Sequence, residues 1–234
     1  MKSKQHFDFW YAVNNTEIIQ MPVRHLETFG ATTLNYHLIT EMMDAPGQIH
    51  VREGRMKASR PQIITPEAYS RTFLEGFGEE ASKYVDWIKK HEKEVHILQY
   101  GYRLAQESFS ENIISDKLPA VVERVKVDVK ARNDPLGAVV VGVEEPWDVC
   151  LVKLFWEVVQ HSAKTNIRQM VQRGLFEDAG GLPRGVRAEI EKEFLAASRD
   201  ASHVAALHKK LQFYGVFDEY EDRFFALVRE HKKP

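Results

Sequence analysis

The stretch LNYHLITEMMDAPGQIHVREGRMKA, residues 34–58, decides how this chain is read. Leu34, Tyr36 and Leu38 alternate with Asn35, His37 and Ile39, the period of a half-buried strand. The same residues with Met42 and Met43 also fit helical spacing, which is the competing reading of this segment. Asp44-Ala45-Pro46-Gly47 has the composition of a turn. Ile49 and Val51 then alternate with His50 and Arg52, Glu53-Gly54 reads as a two-residue turn, and Met56 and Ala58 alternate with Arg55 and Lys57. The expectation is a three-stranded antiparallel meander.

With the first turn centred near Asp44 and Ala45, His37 falls opposite Arg52; with the second at Glu53-Gly54, Arg52 faces Arg55 and His50 faces Lys57. Leu34, Tyr36, Leu38, Ile49, Val51, Met56 and Ala58 then share a clean apolar face, because neighbouring strand residues point to opposite sides. His37, His50, Arg52, Arg55 and Lys57 are left together on the other surface as candidate ligand-binding residues. Residues 48–71 hold five Lys and Arg against two Glu, a local excess of three positive charges in a nearly neutral chain. Like charges placed opposite one another destabilise a sheet, and an anion would offset that cost. Arginine forks match phosphate and carboxylate oxygens, and histidine exchanges protons near neutral pH. The competing reading is a solvated face whose long side chains cover apolar atoms and protect a sheet edge.

Upstream, FDFWYAV and TEIIQM are rich in aromatic and β-branched residues and flank Asn14-Asn15, the pattern of a hairpin. Downstream, Thr65-Pro66-Glu67 has the form of a helix start, and Phe73, Leu74, Phe77, Ala81, Tyr84, Val85 and Ile88 predict a long amphipathic helix over 66–91. Gly76 and Gly78 fall inside it as a kink or a close approach. Val95–Ala105 returns to strand character, with Tyr100 and Tyr102 as possible stacking surfaces, and Phe109–Ile114 is expected to pair with it. Asp116 and Pro119 open a helix carrying Val121, Val122, Val125 and Val129. Asp134-Pro135 reads as another cap, and the segment 136–143 fits a short helix or a strand. Pro146 starts the most apolar helix, expected as the spine of the core, with Cys150 buried in it.

EDAGGLPRG, residues 177–185, is turn-rich and acidic, with the linker proper at 177–182. Three helical patterns follow; Gly215 and Asp218 separate the last two as stop and cap. The expected architecture is an α+β fold: an antiparallel β-meander packed with long helices over residues 1–176, followed by an all-helical C-terminal subdomain over 183–234.

The chain has 234 residues, 28% of them charged, and a net charge of −2, so no global field drives it onto DNA or an acidic membrane. Its single cysteine excludes an intramolecular disulfide and a multi-cysteine metal site built from this chain alone. No stretch approaches a membrane span, and MKSKQHFDFW lacks the apolar run of a signal peptide, so a cytoplasmic location is expected. There is no GxSxG elbow, no phosphate loop of the GxxxxGK[ST] type and no HExxH. Gly76-Phe77-Gly78 is the nearest approach to a dinucleotide fingerprint, but it would set two carboxylates at the turn and has no strand before it. Glu157 with His161, and His203 with His208, read as surface pairs rather than ligands, so no metal and no cofactor is expected.

Three function classes remain. The first is a binding protein that takes an anion on the meander: a phosphorylated small molecule, a nucleotide or a short RNA. The second is an adaptor that meets a protein partner, or a second copy of itself, through Phe213, Tyr214, Phe217, Phe224 and Phe225. The third is an enzyme with a dispersed site drawing on His25, His37, His50, Glu27, Glu41, Arg52 and Arg55; with no triad and no fingerprint it ranks last.

Overall fold

One hairpin, not three strands, is built from residues 32–58. Strand β2 (Thr32–Glu41) pairs antiparallel with β3 (Gln48–Ala58), with Leu34 opposite Met56, Leu38 opposite Arg52 and Glu41 opposite Ile49. The structure is a computed structural model and is described for residues 8–63, 74–91, 100–101 and 103–231. The first turn forms, but centred on Ala45 rather than between Asp44 and Ala45: Gly47 has φ +81°, and the Met42 and Gln48 amides donate to the Gln48 and Ala45 carbonyls. The second does not. β3 runs straight through Glu53-Gly54, and Gly54 is absent from the glycines with positive φ.

The neighbours of this hairpin correct the antiparallel meander to a mixed sheet. Strand β7 (Leu104–Ser115) lies antiparallel beside β3 and β8 (Gly137–Gly142) parallel beside β2; β1 (Glu17–Gln20) and the short β5 (Leu74–Glu75) complete the order β1-β8-β2-β3-β7-β5. The cause is helix α3 (Leu118–Ala131), which carries the chain from β7 to β8. A helical crossover is what brings a strand back parallel. Ala138, Val139 and Val140 are all buried, so β8 is an unbroken apolar run without alternation, and the ambiguous segment 136–143 is a strand. Asp134 therefore caps no helix. Its Oδ1 accepts from the Leu136 amide at 2.9 Å, a turn into β8.

Each face of the sheet is covered by a helix. Val121, Val122, Val125 and Val129 of α3 pack on Ile39, Ile49, Val51 and Val139. On the other face lies the first half of α4 (Trp147–Gln172), so close that a Cβ at Gly142 would sit 2.6 Å from Cys150 Sγ and 3.0 Å from Leu38 Cδ1. Cys150 is fully buried, and burial pushes its thiol pKa up.

Two more expectations are corrected here. Phe9–Asn14 is a helix, α1, not half of a hairpin. Asp8 caps it by accepting from the Tyr11 amide, and Phe9 and Trp10 pack on Tyr84 and Trp87, at 5.8 and 4.7 Å between ring centroids. Packing of the rings outweighs their strand preference. Helix α2 spans Glu79–His91, so Gly76 (φ +80°) and Gly78 precede it, and Leu74–Glu75 is a strand. The expected start at Thr65-Pro66-Glu67, and most of the segment around Val95, lie outside the described residues.

The chain divides into two compact units, and the division falls inside α4, after Asn166. Of the described residues, the second unit holds 62–63, 100–101 and 167–231. Within it β4 (Gln62–Ile63) pairs with β6 (Tyr100–Gly101), and α5 (Arg184–Arg199), α6 (Val204–Tyr214) and α7 (Phe217–His231) form the helical part. Residues 177–183 form a hydrogen-bonded turn: Asp178 bridges Pro183, and Arg187 Nε donates to the Ala179 carbonyl. Gly215 ends α6 in the left-handed conformation, whereas Asp218 lies in the first turn of α7 rather than at its cap. Tyr214 and Phe224 are buried, and Phe217 and Phe225 ring Phe224, so these aromatic residues pack largely on one another. Among the described residues no helix is long and apolar enough to cross a membrane.

Candidate functional site

The register divides the five expected site residues between two faces. Because Leu38, not His37, stands opposite Arg52, His50 and Arg52 point to the α4 side; His37, Arg55 and Lys57 point to the α3 side. The single basic surface expected from the sequence is therefore absent.

On the α4 side, Arg52 is fully engaged. Its side chain is 6% exposed; Nε donates to Glu111 Oε1 at 2.9 Å and NH2 to Glu144 Oε1 at 2.7 Å. NH1 donates to Glu144 Oε2 at 3.2 Å and to the Thr40 hydroxyl at 3.3 Å, and the guanidinium carbon lies 5.0 Å from the centre of the Trp147 ring. The Thr40 hydroxyl donates in turn to Glu144 Oε2 at 2.5 Å, and His50 Nδ1 stands 2.9 Å from Glu144 Oε1. Burial pushes the Glu144 carboxyl up, but hydrogen bonds from Arg52, Thr40 and His50 outweigh it and leave the carboxyl below its ordinary range. A guanidinium so occupied has no fork to offer an added anion. This cluster is an ion-pair network built around a buried guanidinium.

On the α3 side there is an open cleft of about 500 Å³, lined by residues that include Asn35, His37, Glu53, Arg55, Arg132 and Asp134. β2 supplies Asn35 and His37, β3 supplies Glu53 and Arg55, and the C-terminal end of α3 supplies Arg132. Asn35 Nδ2 donates to Asp134 Oδ2 at 2.6 Å, which pins the loop after α3 to the strand. His37 Nδ1 is 3.3 Å from the Ala138 carbonyl, which can only accept, so Nδ1 carries the proton and Nε2 presents its lone pair. Arg132 NH1 approaches that Nε2 at 3.4 Å and Glu53 Oε2 at 3.4 Å. Burial lowers the His37 pKa against the pull of Glu53, which keeps the imidazole neutral at pH 7.

The cleft's cations differ from Arg52 in being loosely held. Arg55 and Arg132 are 60% and 55% exposed, and the ion pairs of both, to Glu107 and to Glu53, are at 3.4 Å. Such long, solvated pairs contribute little and exchange readily for another partner. Lys57 is exposed on this face but does not line the cleft.

Of the residues named in advance, His37 and Arg55 meet here. Arg132 and Asp134 were missed as site residues: the first ends a helix and the second read as a cap. The side chain of Tyr100 and the whole of Tyr102 lie outside the described residues. Among the described residues no group of three or more His, Cys, Asp or Glu is placed to hold a metal ion. His208 packs between Phe217 and Phe224, at 5.1 and 5.5 Å, as a ring in an aromatic cluster. No family model, no curated protein and no solved structure matches this chain.

Proposed function

We propose that this protein binds a small phosphorylated or carboxylated molecule in the cleft between β2, β3 and the end of α3. The observation that carries the reading is the pair of half-exposed, weakly paired guanidinium groups of Arg55 and Arg132 beside the neutral imidazole of His37. Arginine forks take up phosphate or carboxylate oxygens two at a time. The acids Glu53, Glu107 and Asp134 interleave with the arginines, so the face offers no continuous positive track. A short RNA needs such a track; a compact anion does not.

The test is a thermal-shift and calorimetric titration with sulfate and inorganic phosphate, on wild type and on Arg55→Ala/Arg132→Ala. Ligand at about a hundred times its dissociation constant adds roughly 2.7 kcal/mol of apparent stability. The wild-type shift is expected to disappear in the double variant; a shift that survives it, or none in wild type, overturns the reading. Sulfate keeps its charge between pH 5 and 8, so it also reports on His37. Burial depresses that imidazole's pKa, so it is neutral above the depressed value and cationic below it. Sulfate affinity is therefore expected to rise as pH falls into that range, and to stay flat in His37→Gln.

An acid–base enzyme is the second reading, favoured by the His37 tautomer, whose unprotonated Nε2, approached by Arg132 NH1 at 3.4 Å, is the atom a general base uses.

A further inference from the structure

Strand β7 uses one of its two edges almost everywhere. From Gln106 to Ser115 it pairs with β3 on one side; on the other, β5 reaches only Leu104 and Ala105, and no strand among the described residues continues beyond. Ser108 to Ile113 are exposed. A row of outward N–H and C=O groups of this length is a template for another strand, and folded proteins usually shorten, bend, charge or cover it. A register shift near Gly54 bends the start of β7, but Phe109–Ser115 is regular, with Phe109 41% and Ile113 56% exposed on the same face.

We propose that β7 pairs antiparallel with β7 of a second copy of this chain, about a two-fold axis at Glu111. The side chains select both partner and register. A two-fold at Glu111 sets Phe109 of each copy opposite Ile113 of the other, and Ser110 opposite Asn112. Aromatic and β-branched residues in direct opposition are among the favourable cross-strand pairs, and the symmetry makes each contact twice. The two Glu111 carboxylates meet at the axis, and each is held on its own chain by Arg52, which it shares with Glu144 and whose Nε donates to it at 2.9 Å, with His50 Nε2 at 3.4 Å. Moving the axis to Ser110 sets Phe109 against Glu111, and moving it to Asn112 sets Ile113 against Glu111, an apolar group against a carboxylate in both. The joined sheets would continue across the contact and leave no exposed edge on β7.

The full chain is examined by sedimentation equilibrium as wild type and as Ile113→Lys. The wild type is expected to sediment as a dimer and the variant as a monomer with the same far-UV circular dichroism, since Ile113 is exposed. Disulfide trapping reads the register independently of stability. Directly opposed residues in an antiparallel pair have Cα atoms about 4.5–5.5 Å apart, within the range that a disulfide spans. An oxidised mixture of Ser110→Cys and Asn112→Cys is expected to give the mixed covalent dimer, and neither variant alone to cross-link. A monomeric wild type, a dimer unaffected by Ile113→Lys, or cross-linking by either variant alone overturns the proposal.

Discussion

Arg52→Leu is expected to cost about 3–5 kcal/mol of folding stability, measured by urea unfolding at pH 7, because it leaves a buried carboxylate without its cation. Glu144 is 19% exposed and takes two of its hydrogen bonds from this one guanidinium, so no water replaces the partner at equal strength. The loss is expected to depend on pH with a definite sign. In the wild type the Glu144 carboxyl lies below its ordinary range, so its contribution is present above that range and is lost as pH falls through the lower folded value. In the variant the same carboxyl is buried without that cation and takes up a proton more readily. The difference between wild type and Arg52→Leu is therefore expected to shrink as the solution is acidified. Arg52→Leu/Glu144→Leu is expected to recover much of the loss, since a buried pair replaced whole costs far less than a pair broken. A loss under about 1 kcal/mol in the single variant, of the size of an exposed pair, would mean that the network is solvated.

Gly54→Val is expected to destabilise the protein by up to about 3 kcal/mol through overpacking. A Cβ at this position would lie 2.6 Å from the Tyr36 hydroxyl and 2.6 Å from Phe109 Cβ. Tyr36 is fully buried and accepts from Gln106 Nε2 at 3.2 Å, so its ring has little room to yield. Had Gly54 occupied a turn, the cost would have come from backbone conformation, and relief at Tyr36 would not matter. Gly54→Ala is therefore expected to be partly rescued by Tyr36→Phe, with a coupling of 0.5 kcal/mol or more in a double-mutant cycle, on the order of that found for residues in contact. Additive effects of the two substitutions would place the clash on Tyr36 Cζ, 2.7 Å from the added Cβ, and on Phe109 Cβ, both of which Tyr36→Phe leaves in place. Gly47, with φ +81° and open space around it, is the control in which conformation alone is expected to act.

These two positions also mark where the sequence reading turned. Alternation from Leu34 to Leu38 and from Ile49 to Ala58 marked both stretches as extended, which they are, but the second was read as two strands about a turn and is one. The valine spacing of 121–129 and the apolar run after Pro146 identified α3 and α4, and the buried character of Cys150 was legible from its neighbours. The assignment of faces was not. Pairing His37 with Arg52 instead of Leu38 is a slip of one residue, and with a side-chain period of two, one residue exchanges the faces. Glu53-Gly54 compounded the error, because a glycine that makes room for a ring is indistinguishable in sequence from one that makes a turn. His37 and Arg55 entered the candidate cleft regardless, since they stand on the same side of the observed sheet.

What the amino-acid sequence determined by itself is local: the strand period of β2 and β3, the helical period and valine stripe of α3, the apolar spine of α4 and the three helices of the C-terminal unit. These follow from how neighbouring residues share a face, which needs no knowledge of the rest of the chain. Tertiary structure alone decided that Phe9–Asn14 is a helix, since Tyr84 and Trp87 supply its packing partners from 70 or more residues away. It decided likewise that β8 lies parallel to β2, and that Arg52 meets Glu144 while Arg55 and Arg132 keep solvent-facing forks. An arginine reads the same in sequence whether a carboxylate or water completes its hydrogen bonds. Only long-range pairing of strands and helices determines which of the two it meets.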